Sequence, residues 1–228
     1  NGIKMSKSKG NVVSPDDLVR DYGCDSLRLY ELFVGPPELD AEWDDRGIEG
    51  VYRFLSRFWN LVMDNKDKNI KASKEMIKAR HKMIHMITTR LEGFSLNTVI
   101  SGFMECNNNL IAIAKKEGGM DKETLEAAVL LLAPFAPHMG EELWEELGHT
   151  DSVFHHEWPA HDEEAMKDDE VEIPVQVNGK TKAVISVPVD ISKEDAITKA
   201  KEVLGDKLSG NIIKEIYVPK KIVNIVAK

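Results

Sequence analysis

Apolar residues recur at spacings of three and four through most of the first two thirds of this chain. Residues 48–62 show the pattern clearly, with one face of a helix apolar and the other polar. The same spacing returns in three later stretches, which begin at Ser73, Ser95 and Asp121. These three residues have side chains that cap helix N-termini, and Pro134 and Pro137 interrupt the last stretch. Helices with one apolar face bury it against one another, so the pattern predicts an antiparallel bundle of four or five helices.

Two shorter helices are expected before the bundle. Ser14 and Pro15 form an N-cap followed by a proline at the first helical position. Asp25 is expected to cap the second helix, which ends at Gly35-Pro36-Pro37.

The apolar period changes from helical to alternating near residue 171. Ile173 and Val175 belong to a strand that leads into Asn178-Gly179, a strong signal for a two-residue hairpin of type I′. Ser192 then begins a helix. The remaining β runs are the return strand 180–187 and the stretches 212–218 and 222–226. The order predicts a small α+β domain of ββαββ type, so the whole chain is expected to be multidomain and mainly α.

Domain boundaries follow from these changes of period and from one change of composition. Residues 149–170 are rich in histidine and acidic residues, which is typical of a connection. The predicted divisions are residues 1–45, a helical bundle over 46–160, an acidic linker over 161–170 and the α+β domain over 171–228.

Charge alternates in blocks along the chain. The net charge is −9, which argues against a general nucleic-acid binder. However, residues 65–116 carry a net charge of +6 and residues 171–228 carry +3, while residues 117–170 carry −14. A polyanion could therefore contact the two basic segments, although solvated helix faces would give the same pattern.

Several classes of protein are disfavoured. The longest apolar stretch, Ala127 to Ala136, is too short to cross a membrane, so no membrane association is expected. Cys24 and Cys106 lie far apart without metal-ligand spacing, and the histidines match no zinc pattern, so neither a disulfide framework nor a metal site is expected. This cysteine usage fits a reducing cytoplasm.

The first residues hold the motif that carries chemistry. Lys4-Met5-Ser6-Lys7-Ser8-Lys9-Gly10-Asn11 combines three ammonium groups, two hydroxyls and a glycine within eight residues. Such a loop can close over a triphosphate, because lysines and hydroxyls bind phosphate oxygens. A flexible, solvated lysine-rich segment is the alternative.

The letters of Lys4 to Ser8, KMSKS, resemble the signature loop of class I aminoacyl-tRNA synthetases. The segments Tyr22 to Phe33 and Gly35-Pro36-Pro37-Glu38 are similar to the leucyl-tRNA synthetase version of this region. The C-terminal unit, which starts at Pro174, is similar to the small domain that ends bacterial leucyl-tRNA synthetases. The resemblance covers essentially the whole chain. Because Asn1-Gly2-Ile3 leads at once into the loop, we interpret the chain as the C-terminal part of a larger enzyme.

The resemblance implies a leucine-tRNA ligase that uses ATP, with Mg²⁺ in the full enzyme, and binds leucine and leucine tRNA. Residues 1–45 would end the catalytic domain, and Lys7 would be the catalytic residue that contacts the ATP phosphates. The implied ATP-binding residues are Lys4, Met5, Ser6, Lys7 and Ser8. The bundle would resemble an anticodon-binding domain and lie along the tRNA, and the C-terminal domain would dock on the tRNA elbow and variable arm. The fragment alone is expected to be inactive, and we expect a monomer.

Basic side chains outside the loop are candidates for tRNA contacts. The candidates are Arg53, Arg57, Lys74, Lys78, Lys82, Lys180, Lys182, Lys220 and Lys221. For those on the bundle, a solvated helix face is an equally good interpretation. Two other functions stay open, namely a separate, non-enzymatic tRNA-binding accessory module and a protein-interaction scaffold.

Overall fold

The computed structural model describes residues 2–167, 170–208 and 210–228, without the side chains of Asp45 and Asp206. The chain divides into two compact units, Asn1–Met166 and Lys167–Lys228. Asp168 and Asp169 of the predicted acidic linker lie outside the described residues.

The first unit is helical. Its helices are α1 (Pro15–Tyr22), α2 (Cys24–Phe33), α3 (Asp45–Met63), α4 (Lys74–Glu92), α5 (Leu96–Glu117), α6 (Lys122–Leu132) and α7 (Pro137–Glu146). The apolar stripes that the sequence shows meet in one core, in which Ile48, Ile87 and Leu125 are fully buried. Burial of such stripes against one another is what stabilises helices of this length.

Helix caps explain where several of these helices begin. Ser73 accepts a hydrogen bond from the N–H of Met76 at 3.1 Å, and Asp121 accepts one from the N–H of Thr124 at 3.0 Å. Ser14 and Ser95 stand at the N-cap positions of α1 and α5, but their side chains make no capping bond.

The second unit is a four-stranded sheet with one helix. Its elements are β1 (Glu170–Val177), β2 (Lys180–Pro188), α8 (Lys193–Leu204), β3 (Ile212–Val218) and β4 (Ile222–Ala227). The strand order is β2-β1-β4-β3, and the central pair β1 and β4 is parallel, while the two outer pairs are antiparallel. Ala196, Ala200 and Leu204 of α8 are buried with apolar residues from one face of the sheet. A mainly helical chain that ends in a small sheet is therefore confirmed.

Asn178 and Gly179 join β1 to β2 with φ angles of 50° and 78°. Positive φ at both positions is what a type I′ turn requires. None of the helices in the described residues is long and apolar enough to serve as a bilayer span.

Candidate functional site

The loop that contains residues 4–11 is closed by the side chain of Asn11. Its Oδ1 accepts a hydrogen bond from the N–H of Ser6 at 2.9 Å, and its Nδ2 donates to the carbonyl of Lys4 at 3.4 Å. One amide therefore satisfies a donor and an acceptor on the opposite arm of the loop, as a paired strand would.

A single 3₁₀ turn at Lys7–Lys9 forms the tip of the loop. The N–H of Lys9 donates to the carbonyl of Ser6 at 3.1 Å, and the N–H of Gly10 donates to the carbonyl of Lys7 at 3.2 Å. Gly10 ends the turn at φ 64°, in the left-handed region that glycine adopts without steric cost.

The lysine side chains of this loop are exposed to solvent. Lys4, Lys7 and Lys9 are exposed, and among the described residues none of their ammonium groups has an ion-pair partner. The hydroxyls of Ser6 and Ser8 lie 3.2 Å apart. Met5 is 41% exposed. The loop thus offers three cations and two hydroxyls to an anionic ligand.

Helix α2 ties the segment that follows the loop to the break between α6 and α7. Asp25 accepts hydrogen bonds from the N–H groups of His138 at 3.4 Å and Met139 at 2.8 Å. Arg28, one turn later, donates to the carbonyls of Pro134 at 3.1 Å and Phe135 at 3.3 Å. Asp25 was expected to cap its own helix, but the N-cap of α2 is Gly23 and Asp25 instead caps α7.

Two of the predicted tRNA contacts lie together on α3. Arg53 and Arg57 are four residues apart and both exposed, so they lie on the same polar face of the helix. Neither guanidinium has an ion-pair partner among the described residues.

Lys74, Lys78 and Lys82 lie along one face of α4 at spacings of four. Lys74 and Lys82 are exposed and Lys78 is half-buried. Each of the three also has an interaction within the chain, so a ligand would have to compete with that interaction.

The four predicted lysines of the second unit are exposed but lie at opposite ends of the sheet. Lys180 pairs with Val177, which is level with Ile225 on the parallel strand β4. Lys221 precedes Ile225 by four residues, so the two turns are about 13 Å apart along the strands at 3.3 Å per residue. Lys182 is the additional residue of a β-bulge, since Gln176 pairs with Thr181 and Val175 with Ala183. The sheet therefore does not bring the two lysine pairs together.

Sequence patterns did not single out two other basic residues that belong with Arg57. Lys68 and Lys115 line the same surface cleft as Arg57, between the ends of α3 and α5. They are far apart in sequence, so only the packing of these helices reveals the group.

Of the histidines in residues 149–161, His149 and His156 share the ring of Trp144 as a neighbour. His149 stacks on Trp144 with ring centroids 3.7 Å apart, whereas His161 contacts His85 on α4. In the part of the chain that the structure describes, no group of three or more His, Cys, Asp or Glu residues could hold a metal ion.

Two protein families match parts of this chain. Residues 73–197, more than half of the chain, match the family described as the anticodon-binding domain of tRNA ligase. Residues 1–44, which include the loop, match class I tRNA synthetases of the I, L, M and V group.

Curated relatives cover the whole chain. Leucine-tRNA ligases of Fervidobacterium nodosum and Thermosipho melanesiensis are 47% and 46% identical to it over its full length, and that of Thermotoga maritima is 44% identical over 99%. The chain spans 30% of the length of each of these relatives. The predicted resemblance to leucyl-tRNA synthetases is thus confirmed.

A solved structure has the same fold. It is described as the ternary complex of Agrobacterium radiobacter K84 agnB2 LeuRS with tRNA and LeuAMS, and it matches with a TM-score of 0.74 at 29% identity. The match covers 100% of this chain and 31% of that one. On these grounds the chain belongs to the family of tRNA ligases that carry this anticodon-binding domain.

Proposed function

We propose that this chain is part of a leucine-tRNA ligase, which activates leucine with ATP and transfers it to leucine tRNA. The observation that carries the proposal is similarity to such ligases over the entire chain, together with the KMSKS loop itself. In that loop the ammonium groups of Lys4 and Lys7 have no ion-pair partner among the described residues.

The proposed first step joins leucine to ATP. A carboxylate oxygen of leucine attacks the α-phosphorus, the bond to the α,β-bridging oxygen breaks, and pyrophosphate leaves with the electron pair. Negative charge grows on the departing group, where the ammonium of Lys7 would stabilise it. Lys4, Ser6 and Ser8 would bind the remaining phosphate oxygens, and Met5 would lie near the adenine.

The second step transfers the leucyl group. A hydroxyl of the terminal ribose of the tRNA attacks the leucyl carbonyl, and AMP leaves. No residue of this chain is assigned to Mg²⁺, because this ion is commonly held by substrate phosphates, water and only one or two carboxylates.

The remaining domains would bind the tRNA. In this proposal residues 1–45 end the catalytic domain, and residues 46–160 form an antiparallel bundle along the tRNA. Residues 161–170 link this bundle to residues 171–228, which dock on the tRNA as a ββαββ unit. Arg53 and Arg57 would contact the RNA together, because they lie one turn apart on α3 and lack ion-pair partners in the described part of the chain. Lys74, Lys78 and Lys82 would exchange an existing interaction for a phosphate. Lys180 and Lys182 would contact a different part of the RNA from Lys220 and Lys221, because the two turns are at opposite ends of the sheet.

The test is made in the full ligase that carries this chain. Lys7→Ala is expected to lower leucine-dependent pyrophosphate exchange by ~10²–10³, the usual cost of losing one preorganised donor to developing charge. Lys9→Ala is the matched control, because it removes an equal charge from the same turn outside the KMSKS letters.

Three outcomes would argue against the proposal. Equal rates of pyrophosphate exchange for Lys7→Ala and Lys9→Ala would show that Lys7 has no special role in the first step. Pyrophosphate exchange that depends on an amino acid other than leucine would show that leucine is not the substrate. Binding of tRNA without any exchange by the full protein would favour the accessory module.

A further inference from the structure

A cleft of about 280 Å³ separates the C-terminal half of α3 from the C-terminal end of α5. Its volume is near the lower limit of small-molecule sites. Its lining comes from α3, from α5 and from the segment that follows α3.

The cleft has an apolar floor and a cationic rim. Leu61 is 4% exposed, and Ile111 and Ala114 are half-buried. Arg57, Lys68 and Lys115 are exposed at the rim, and none of them has an ion-pair partner among the described residues. Asp64 is the acid that lines the cleft, so its lining carries a net charge of +2.

The walls of the cleft are fixed by hydrogen bonds that a ligand need not create. Asn65 is buried, its Nδ2 donates to the carbonyl of Leu61 at 2.7 Å, and its Oδ1 accepts from the N–H of Met120 at 3.2 Å. Lys68 lies over Gly119, where an added Cβ would stand 3.0 Å from the lysine Cδ. The end of α3 is therefore held against the segment that follows α5.

Helix electrostatics account for only part of this charge. Lys115 belongs to the last turn of α5, where a cation interacts favourably with the helix dipole. Arg57 lies six residues before the end of α3 and has no such role. Three cations that line one apolar-floored cleft are suited to a ligand with a phosphate and a less polar part.

We propose that this cleft binds one nucleotide of the tRNA, with its phosphate between Arg57, Lys68 and Lys115 and its sugar and base edge on the floor. The inference rests on the proposed function, and it adds Lys68, Lys115 and Asn60 to the contacts. Asn60 can donate or accept a hydrogen bond at the sugar or base. Asp64 repels the phosphate and so limits the affinity.

The first test measures binding of leucine tRNA by the full ligase at several salt concentrations. Arg57→Ala, Lys68→Ala and Lys115→Ala are each expected to weaken binding by about tenfold, the equivalent of one hydrogen bond to a charged group. The slope of log K against log salt should fall by about 0.7–0.9 for each lost contact. Lys116→Ala is the control, because it removes the same charge from the next residue, which pairs with Glu75 on α4.

A second pair of variants tests whether a nucleotide enters the cleft or the tRNA only contacts the charged surface around it. Ala114→Phe fills the floor without changing any charge and is expected to weaken binding by about tenfold. Asp64→Asn removes the repulsion and is expected to strengthen binding. Circular dichroism and thermal unfolding check that each variant is folded.

The outcomes distinguish this inference from the proposed function. If the ligase charges leucine tRNA and the cleft variants bind it as Lys116→Ala does, the cleft inference is wrong and the proposed function stands. Unchanged binding by Ala114→Phe, with weaker binding by the charge variants, would also overturn it in favour of a surface contact. If the wild-type ligase neither binds nor charges leucine tRNA, the proposed function fails first.

Discussion

Asp25 accepts a hydrogen bond from the backbone N–H of Met139 at 2.8 Å, although the two residues are 114 positions apart. The N-cap of α7 is Ala136, which offers no side-chain acceptor, and α7 begins with a proline. Asp25 is buried and supplies the missing acceptor from α2. The segment after the KMSKS loop is therefore joined to the tRNA-ligase helices by a cap made between helices.

Removal of this cap should destabilise the helical unit. Asp25→Ala is expected to lower the free energy of unfolding by about 1–2 kcal/mol, because substitution of an N-cap by alanine costs that much. Chemical denaturation of the chain, followed by helical circular dichroism, measures the loss. Asp21→Ala is the control, since Asp21 is exposed and its ion-pair partner among the described residues is the neighbouring Arg20. Equal stability of the two variants would contradict the capping role.

Arg28 should stabilise the same connection between α6 and α7 by binding its carbonyl groups. Its guanidinium donates to the carbonyls of Pro134 and Phe135, which follow the end of α6. Arg28→Met, which keeps much of the stem, is expected to cost about 1 kcal/mol for the lost hydrogen bonds. The double variant with Asp25→Ala should cost less than the sum, because both side chains hold one loop. Strict additivity would show that the two bonds act independently.

Local signals predicted the elements well and their partners poorly. Ser73 and Asp121 cap the helices that they were expected to begin, because an N-cap bond reaches only three residues along the chain. Asp25 has the same local signature, yet its side chain caps α7, and no spacing rule reports a partner so far away. The packing of α2 against α7 decides which N–H groups donate to the carboxylate of Asp25.

The candidate site shows the same division. Lys4 to Ser8 lie within one loop, so their proximity was predictable from the letters alone. The separation of Lys180 from Lys221 depends on the parallel pairing of β1 and β4, which strand signals do not specify. The group of Arg57, Lys68 and Lys115 likewise depends on how α3 and α5 pack.

Asn11 should position the KMSKS loop. Asn11→Ala removes both loop-closing bonds. The shorter one, at 2.9 Å, is expected to contribute about 0.5–1.5 kcal/mol, which corresponds to a fall of about 2- to 10-fold in pyrophosphate exchange in the full ligase. Affinity for tRNA should stay constant, because the loop is not among the proposed tRNA contacts. Val12→Ala is the control, since Val12 is adjacent and 50% exposed. Equal exchange by the two variants would contradict a positioning role for the amide.

Acidification should weaken the contact between residues 158–162 and α4. The N–H of Asp162 donates to Nδ1 of His81 at 3.0 Å, so that nitrogen must be unprotonated. Burial lowers the pKa of His81 below its ordinary value of 6.5, and the nearby Arg80 lowers it further. The unfolded chain thus binds more protons below pH 6.5, and stability is lost as the pH falls from 6.5 towards the lowered pKa.

Two variants test this pH dependence. His81→Gln should show a smaller loss of stability between pH 7.5 and 5 in denaturation experiments, because the titrating group is gone. His155→Gln, at an exposed position, should keep the wild-type pH profile. Identical profiles for wild type and His81→Gln would show that His81 does not carry the effect.

Asn178 should stabilise the sheet through its side chain as well as through its turn. Its Nδ2 donates to the carbonyl of Ala227 at 2.9 Å, and its Oδ1 accepts from the N–H of Ala227 at 3.0 Å, so the amide extends the pairing of β1 with β4. Asn178→Gly keeps the positive φ but loses both bonds, and about 1–2 kcal/mol less local stability is expected. Faster amide exchange at Ala227 reports this loss directly, because that N–H is the one that becomes unpaired. Asn69→Gly is the control, since Asn69 also has a positive φ and its side chain makes no hydrogen bond to a described residue. Unchanged exchange at Ala227 in Asn178→Gly would show that the turn alone, and not the amide, aligns the two strands.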